Sequence, residues 1–418
     1  MENSSKDIVI KKNNRIFFLL FIIQPFLSLV LAIRHYRLSS SRNIVWIFVA
    51  FTGLTFVISN SGIDANRQRE TLVAIHNSEI TFSRLTDLLY DEDSGYVDIA
   101  QPIIIFLVSR VTDNYQVLFA IYGLIFGYFY SRNIWYLIDR SGSFIKKSSL
   151  LVIITYVLII GFWNLNGFRM YTAAHIFVFG TMQYLFEKRI RGVFIAASSI
   201  LFHFSYIFPV TILFLFIVIR TRVSILFWFF IISFFISELD LKIVRDTLID
   251  ILPPIFHPKV VSYTNEGYAE SRLEMINQMR WYAKFYERAL IWSITGFLII
   301  FYFKAIQYIK RIPGLYALYG FTLLFLGMAN IFSTIPSMSR FILVASLFAM
   351  AFILLTLQNG PKSQVLRIYS PIAGAGFTYF SIMSLRIGFD MIGIMALIGN
   401  PVFALFYNID FALIQLFK

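Results

Sequence analysis

The sequence predicts an all-α integral membrane protein, a helical bundle that crosses the membrane many times. Of its 418 residues, 58% are apolar and only 14% are charged, whereas a soluble domain is about half apolar and a quarter charged. The apolar residues recur in runs of near-spanning length, and lysines and arginines cluster in the short segments between them. Such basic loops mark the cytoplasmic side of a membrane protein. We therefore expect a single polytopic membrane domain over residues 1–418.

The composition also excludes several functions. The formal charge of +13 does not indicate a nucleic-acid partner, because the basic residues lie between apolar runs. The absence of cysteine excludes a disulfide framework, a thiolate metal site and a cysteine nucleophile. No P-loop, dinucleotide fingerprint or HExxH motif is present. The five histidines are scattered, and the acidic triplet Asp91–Asp93 is typical of a solvated loop, so neither a metal nor a cofactor is expected.

Apolar run length and loop charge together place about 12 spans, within a range of about 11 to 14. The predicted spans are residues 16–33, 44–60, 115–138, 150–162, 170–186, a pair within 192–220, 223–237, 289–303, 315–332, 341–357, 368–385 and, as a further candidate, 391–417. Residues 97–110 are short and contain Pro102, which favours an interfacial helix. The predicted outer loops are about 61–114, 163–169, 238–288 and 333–340.

The run 192–220 requires a special arrangement. At 1.5 Å per residue it would be about 42 Å long, too much for one straight span of a roughly 30 Å core. Basic residues flank it on both sides, in the segments 188–191 and 220–222, so both ends are predicted to be cytoplasmic. We therefore expect a hairpin of two short spans that turns near residues 206–209. This places His203 and Ser205 near the outer face.

Arginines recur on the predicted outer side, where the positive-inside rule disfavours them. They are Arg67, Arg69, Arg169, Arg272, Arg280 and Arg340. Arginine binds a diphosphate through planar, multidentate hydrogen bonds. For a single outer arginine, snorkelling or an ion pair with a loop acid is the simpler interpretation. Arg169 and Arg340 stand where a turn meets a span, which favours a binding role for these two.

His203 is a candidate general base, because a histidine titrates near neutral pH. A histidine within an aromatic-rich run is, however, often only a packing residue, and both interpretations stay open at this point.

Four short motifs carry a resemblance to a known family. They are SGID at 61–64 with Arg67, NGFR at 166–169, HFS at 203–205 and PSMSRF at 336–341. In this order and spacing, over most of the chain, they resemble the EpsG-like branch of the Wzy-type polysaccharide polymerases. That family typically has a glycine-aspartate loop after the second span, an Asn-x-x-Arg turn, an outer His-Phe-Ser and a late Arg-Phe. It often has a tyrosine after the first-loop aspartate, where this chain has Ala65.

The resemblance implies a GT-C-like membrane glycosyltransferase. Such enzymes polymerise polyprenyl-diphosphate-linked oligosaccharide repeat units into O-antigen or exopolysaccharide on the outer face of the bacterial inner (cytoplasmic) membrane. They use no nucleotide sugar and usually no metal. The implied partners are an undecaprenyl-diphosphate-linked oligosaccharide and membrane lipid, with a chain-length regulator as a further candidate and no nucleic acid.

The resemblance also implies a mechanism in which an acceptor hydroxyl attacks the donor's anomeric carbon and lipid diphosphate leaves. The catalytic candidates are His203, Arg169 and Arg340, with Asp64 or Glu266 as alternative bases. The candidate substrate-binding residues are Asp64, Arg67, Arg69, Arg272 and Arg280, of which Arg280 is also a candidate cation for the diphosphate.

Two other functions compete with the polymerase. A flippase or transporter of lipid-linked oligosaccharide would place charges in a central cavity and often show repeat symmetry, whereas here the unusual charges lie at outer loops and no repeat is evident. A membrane acyltransferase would also use a histidine, but no acid lies adjacent to His203 in the sequence.

Overall fold

The computed structural model describes most of the chain. The described residues are 16–58, 63–78, 98–142, 144–236, 241–251, 253–254, 257–265, 267, 274, 277–333, 335, 337–361, 363–407 and 409–417. Within these residues the protein is helical, with two isolated β-bridges and no strand. The predicted all-α class is therefore confirmed.

The α-helices follow one another with short connections over much of the chain. They are α1 (Pro25–Arg34), α2 (Ser39–Leu54), α3 (Ile63–His76), α4 (Ala100–Ser109), α5 (Tyr115–Arg140), α6 (Lys147–Ile159), α7 (Phe168–Glu187), α8 (Ile190–Ala197), α9 (Ser199–Phe202), α10 (Ile207–Ile219), α11 (Val223–Ser233), α12 (Leu241–Ile251), α13 (His257–Tyr263), α14 (Trp281–Lys310), α15 (Pro313–Phe332), α16 (Arg340–Asn359), α17 (Gln364–Phe389), α18 (Met395–Ile398) and α19 (Pro401–Phe406). Short 3₁₀ helices cover Phe162–Gly167, Phe204–Tyr206 and Leu413–Phe417.

Six helical stretches of the described chain are long and apolar enough to cross a membrane. They are Tyr115–Arg140, Lys147–Glu187, Trp281–Lys310, Pro313–Phe332, Arg340–Asn359 and Gln364–Phe389. The second is interrupted by the 3₁₀ turn at Phe162–Gly167, which divides it into α6 and α7. Shorter apolar helices accompany them, among them α1, α4 and α11. The multi-pass membrane class is thus supported, while the count of about 12 spans and the GT-C likeness stay predictions.

Contacts between loops show which ends of the helices lie together. The Arg37 guanidinium donates hydrogen bonds to the carbonyls of Ile138 and Gly142, so the connection after α1 lies beside the end of α5. The backbone N–H of Lys146 donates to the side chain of Gln358, which brings the start of α6 beside the end of α16. These basic connections lie at one end of the bundle. The turns predicted to face outward lie at the other end, around one cavity.

The run 192–220 is divided into two shorter helical parts, as its length and flanking charges require. The break lies at His203, three residues before the start of the predicted turn. His203 has an extended backbone (φ −152°, ψ 115°), and Asp98 accepts the next N–H, that of Phe204, at 2.6 Å. Asp98 precedes α4, so the position of the break is set by a distant carboxylate and not by the run itself.

Two glycines hold this hairpin against α7. A Cβ on Gly180 of α7 would lie 2.4 Å from the carbonyl oxygen of Gly192, and a Cβ on Gly192 would lie 2.5 Å from that of Gly180. Neither distance is tolerable for a real Cβ, so only glycine allows the backbones to approach this closely. The hairpin that carries His203 is therefore packed directly on the helix that begins beside Arg169.

Helix α16 forms the centre of the bundle. In the most apolar 18-residue stretch of α16, 83% of the residues are buried. The corresponding stretches of α14 and α17 are 39% buried, so these two helices lie at the periphery. Phe348 of α16 packs against Phe177 of α7 at 5.9 Å and Phe321 of α15 at 4.9 Å between ring centroids. Arg340, the first residue of α16, is therefore carried by the most enclosed helix.

The C-terminal run 391–417 does not form one helix in the described residues. It consists of α18, α19 and the last 3₁₀ helix. Pro401 cannot continue a preceding helix because it lacks a backbone donor; it is the first residue of α19, which Asn400 caps by accepting the N–H of Phe403 at 2.8 Å. The segment folds back on itself, since Gly393 bridges to Ala412, and it packs against Trp163 through Ile392, Ala396 and Leu413. In the described residues the candidate span at 391–417 is therefore replaced by short helical segments that fold back.

Single cysteines can test the arrangement of the two ends, since the chain has no cysteine of its own. We expect Asp64→Cys to react with an impermeant thiol reagent added to intact cells, because Asp64 lines the cavity at the predicted outer end. Arg189→Cys, in an exposed connection at the basic end, should react only after permeabilisation. If Arg189→Cys is labelled from outside while Asp64→Cys is protected, the predicted orientation of the protein in the membrane is reversed.

Candidate active site

A cavity of about 430 Å³ lies at the end of the bundle opposite the basic loops. Its volume is within the range of small-molecule sites. Polar side chains from five separate parts of the chain meet there. The polar lining consists of Asp64, Gln68, Asn164, Asn166, Arg169, Tyr171, His203, Glu287, Ser339 and Arg340.

A buried carboxylate beside the cavity connects two of these parts to the start of α4. The Asp98 side chain is only 8% exposed. Its Oδ2 accepts hydrogen bonds from Arg169 Nη1 at 2.8 Å and from His203 Nδ1 at 3.0 Å. Its Oδ1 accepts the backbone N–H of Phe204 at 2.6 Å. One acid thus joins the start of α4, the start of α7 and the break in the hairpin.

The environment sets the charge of this pair. Burial raises the pKa of Asp98, but the hydrogen bonds and positive charge around it outweigh burial, so its pKa lies below the usual range. Burial lowers the pKa of His203, and this effect exceeds the opposing attraction to Asp98. Near neutral pH the pair is therefore an ionised carboxylate and a neutral imidazole. Because Nδ1–H donates to Asp98, Nε2 of His203 is an acceptor.

Three buried polar atoms of cavity residues lack a hydrogen-bond partner among the described residues. They are His203 Nε2, Gln68 Oε1 and Asn166 Oδ1. Buried polar atoms are normally hydrogen-bonded, so these grouped acceptors are available to donors, such as hydroxyl groups, of a molecule that enters the cavity.

The two arginines of the cavity differ in their pairing. Arg169 forms an ion pair with Asp98, and its side chain is 39% exposed. For Arg340, no ion pair or side-chain hydrogen bond is found in the described part of the chain, although its charge acts on His203. Arg340 is therefore the cation that a bound anion can engage without breaking an existing contact.

The predicted residues Asp64, Arg169, His203 and Arg340 all line the cavity. Arg67 and Arg69 do not, because the segment expected as a loop contains α3, whose face with Ala65, Gln68 and Leu72 is buried while both arginines are exposed.

Arg280 lies outside the lining as well. It is the residue before α14, and its Nη1 donates to the hydroxyl of Tyr282 at 3.3 Å. Arg272 and the alternative base Glu266 lie outside the described residues.

Sequence reasoning missed Asp98 and Glu287. Asp98 lies within the predicted outer segment 61–114, at the start of the predicted interfacial helix 97–110, and nothing in the sequence distinguishes it as a site residue. It lies 105 positions from His203, so the acid partner that the sequence did not show is supplied by the fold. Glu287, on the first turns of α14, lines the cavity and accepts a hydrogen bond from Tyr286 at 2.9 Å.

A metal site is not formed by the side chains that the structure describes, since they contain no group of three His, Asp or Glu residues placed to hold an ion. Asp98 is already engaged by three donors. The triplet Asp91–Asp93 lies outside the described residues.

Comparisons of the chain with protein-family models, curated proteins and solved structures found no match.

Loss of the Asp98 carboxylate should destabilise the protein. Asp98→Ala leaves Arg169, His203 and the N–H of Phe204 without their acceptor, so we expect a free energy of unfolding lower by about 2–3 kcal/mol at pH 7. Thermal unfolding in detergent would show this as a reduced midpoint. Asp64→Ala, which removes an exposed acid of the same cavity, is the matched control and should change the midpoint little.

The sign of the pH effect follows from the lowered pKa of Asp98. Its stabilisation is present above the unfolded value of about 3.9 and is lost as the pH falls through the lower folded pKa. An Asp98→Ala variant with the wild-type midpoint at pH 7 would contradict the central role of this carboxylate.

Proposed function

We propose that this protein is a membrane glycosyltransferase that polymerises polyprenyl-diphosphate-linked oligosaccharide repeat units into a surface polysaccharide, on the outer face of the bacterial cytoplasmic membrane. The observation that carries the proposal is that one polar residue from each of four distant motifs, Asp64, Arg169, His203 and Arg340, lines the same cavity. Their order along the chain supported the family resemblance; their shared cavity provides a base, cations and hydrogen-bond acceptors for one reaction.

His203 would act as the general base. A hydroxyl of the acceptor sugar would donate its proton to Nε2 of His203, and its oxygen would form the new bond to the donor's anomeric carbon. The hydrogen bond from Nδ1–H to Asp98 at 3.0 Å fixes the tautomer, and the carboxylate stabilises the imidazolium that forms. Asp98 is thus a positioning residue that acts through His203.

Arg340 would stabilise the leaving group. The bond between the anomeric carbon and the diphosphate oxygen breaks, and its electron pair departs with the lipid diphosphate, so negative charge increases there. Among the described residues Arg340 forms no ion pair with a carboxylate, so it can bind the diphosphate without breaking one. Arg169, already paired with Asp98, would hold the base in place and contribute a second positive charge at the cavity wall.

The remaining polar lining suits a sugar. Gln68 and Asn166 offer unpartnered acceptor oxygens, and Asp64 and Glu287 add carboxylates on the cavity wall. Sugar hydroxyls donate to such groups, while the cations face an anionic portion of the ligand. A cavity that carries both signs of charge therefore fits a lipid-diphosphate-linked oligosaccharide better than a purely anionic ligand.

A second candidate is transfer of an acyl group to a polysaccharide hydroxyl. The Asp98–His203 pair favours it, because a carboxylate-oriented histidine also serves as base in acyl transfer. The two functions predict different products: loss of the acyltransferase would leave long polymer that lacks acyl groups.

Deletion of the gene tests the proposal directly. We expect single repeat units to accumulate on the polyprenyl-diphosphate carrier while long polymer disappears, because the units still reach the outer face but are not joined. Mass spectrometry of extracted lipids and gel analysis of the polymer would measure both. Long polymer without acyl groups would indicate the acyltransferase, and loss of units from the outer face would indicate a flippase.

Substitution of His203 tests the mechanism. His203→Gln keeps a hydrogen-bonding side chain but has no basic nitrogen, so we expect the polymerisation rate to fall about 10²–10⁴-fold, as for loss of a general base. The rate would be measured with purified protein and lipid-linked repeat units.

His35→Gln is the control for this substitution, because His35 is an exposed histidine near the basic end of the bundle. It should polymerise at the wild-type rate. If a folded His203→Gln protein polymerises within a few-fold of wild type, His203 only packs and the assigned mechanism is wrong.

A further inference from the structure

At the basic end of the bundle, far from the cavity, two arginines stand on the seam between α2 and α5. Arg132 belongs to the stripe Leu124, Tyr128 and Arg132, which lie four residues apart on one face of α5. Leu124 is 41% and Tyr128 is 38% exposed, so this stripe faces the bilayer. On α2, Arg42 and Trp46 likewise share a face.

Arg132 is held in place by neutral groups. Its Nη2 donates to Asn43 Oδ1 at 2.8 Å and its Nη1 to Ser131 Oγ at 2.9 Å. Its guanidinium carbon lies 4.7 Å from the centroid of the Trp46 ring and 4.3 Å from that of Tyr128. These contacts fix the orientation of the guanidinium, but none of them cancels its charge.

Arg42 precedes Asn43, the residue to which Arg132 is hydrogen-bonded, so the two arginines are neighbours on the seam and their charges repel. Its Nε is buried and has no acceptor among the described residues, and neither arginine forms an ion pair with a carboxylate of the described chain. Two neighbouring cations and an unused buried donor are unfavourable unless an anion binds between them.

The depth of the seam indicates where that anion comes from. Arg132 lies eight residues before the end of the 26-residue α5, about 12 Å along a helix that is longer than the roughly 30 Å hydrocarbon core. A helix of this length, centred in the core, extends about 4–5 Å beyond it, so the Cα of Arg132 lies about 7–8 Å inside the core boundary. From this depth an arginine side chain reaches the headgroup phosphates by snorkelling. Trp46 and Tyr128 are the residue types enriched at this level.

We propose that Arg42 and Arg132 together bind the phosphate group of an anionic phospholipid in the leaflet at the basic end of the bundle. Trp46 and Tyr128 frame the headgroup, and the lipid tails lie along the exposed stripe of α5. The bound phosphate removes the repulsion between the two arginines and so stabilises the packing of α2 on α5. This site is separate from the cavity and does not depend on the proposed function.

Native mass spectrometry of the purified full-length protein in detergent, titrated with phosphatidylglycerol or phosphatidylcholine, tests the site. We expect one phosphatidylglycerol to bind about tenfold more tightly than phosphatidylcholine, and Arg42→Gln or Arg132→Gln to abolish this preference, because each removes charge-assisted contacts. Arg311→Gln is the matched control: Arg311 is an exposed arginine in a connection at the same end, and its loss should leave the preference unchanged.

Equal binding of the two lipids by the wild-type protein would overturn the proposal, and this comparison needs no variant. An equal loss of preference in Arg311→Gln would overturn it too, since it would show unspecific attraction to the basic end. If a glutamine variant does not fold, the same measurement is made on Arg42→Lys. This variant keeps the positive charge and should retain a preference for phosphatidylglycerol. Displacement of the lipid by millimolar inorganic phosphate would mean that the anion comes from solution, which contradicts the lipid assignment.

Discussion

The arrangement of the site depends on one carboxylate. A break in an apolar helical run, an arginine near the membrane boundary and a buried imidazole each need an acceptor, and each would be costly without one. Asp98 satisfies the N–H of Phe204, the guanidinium of Arg169 and Nδ1 of His203 at once. The same contacts that hold the hairpin, α7 and α4 together also fix the tautomer of His203. The packing of these elements and the tautomer of His203 therefore depend on the same residue.

The rest of the bundle makes this arrangement rigid. The contact of Gly180 with Gly192 fixes the hairpin on α7, and the ring contacts of Phe348 with Phe177 and Phe321 fix α7 and α15 on α16. Arg340 stands at the start of that enclosed helix, on the lining that also holds His203. A cation carried by a well-packed helix loses little entropy when it binds an anion, which is what preorganised electrostatic stabilisation requires.

Sequence reasoning predicted the features that depend on local properties. Apolar run length predicted the membrane class, and the basic flanks of residues 192–220 predicted its division. The features it missed depend on tertiary contacts: Asp98 meets His203 from 105 residues away and determines where the hairpin breaks. The sequence also did not indicate that Arg67 and Arg69 lie outside the cavity. Because α3 is polar overall, its sequence does not reveal a helix with one buried face.

The pairing of the arginines separates their roles. In a low-dielectric setting a guanidinium without a carboxylate is unfavourable, so a protein that leaves one unpaired needs an external anion to offset the cost. Arg169 has its counter-ion in Asp98 and belongs to the framework of the site. Arg340 and the Arg42–Arg132 pair have none among the described residues, and they lie at opposite ends of the bundle. By this criterion Arg340 would receive the anion of a substrate that enters and leaves, while the pair on the bilayer-facing seam would hold an anion of the membrane itself.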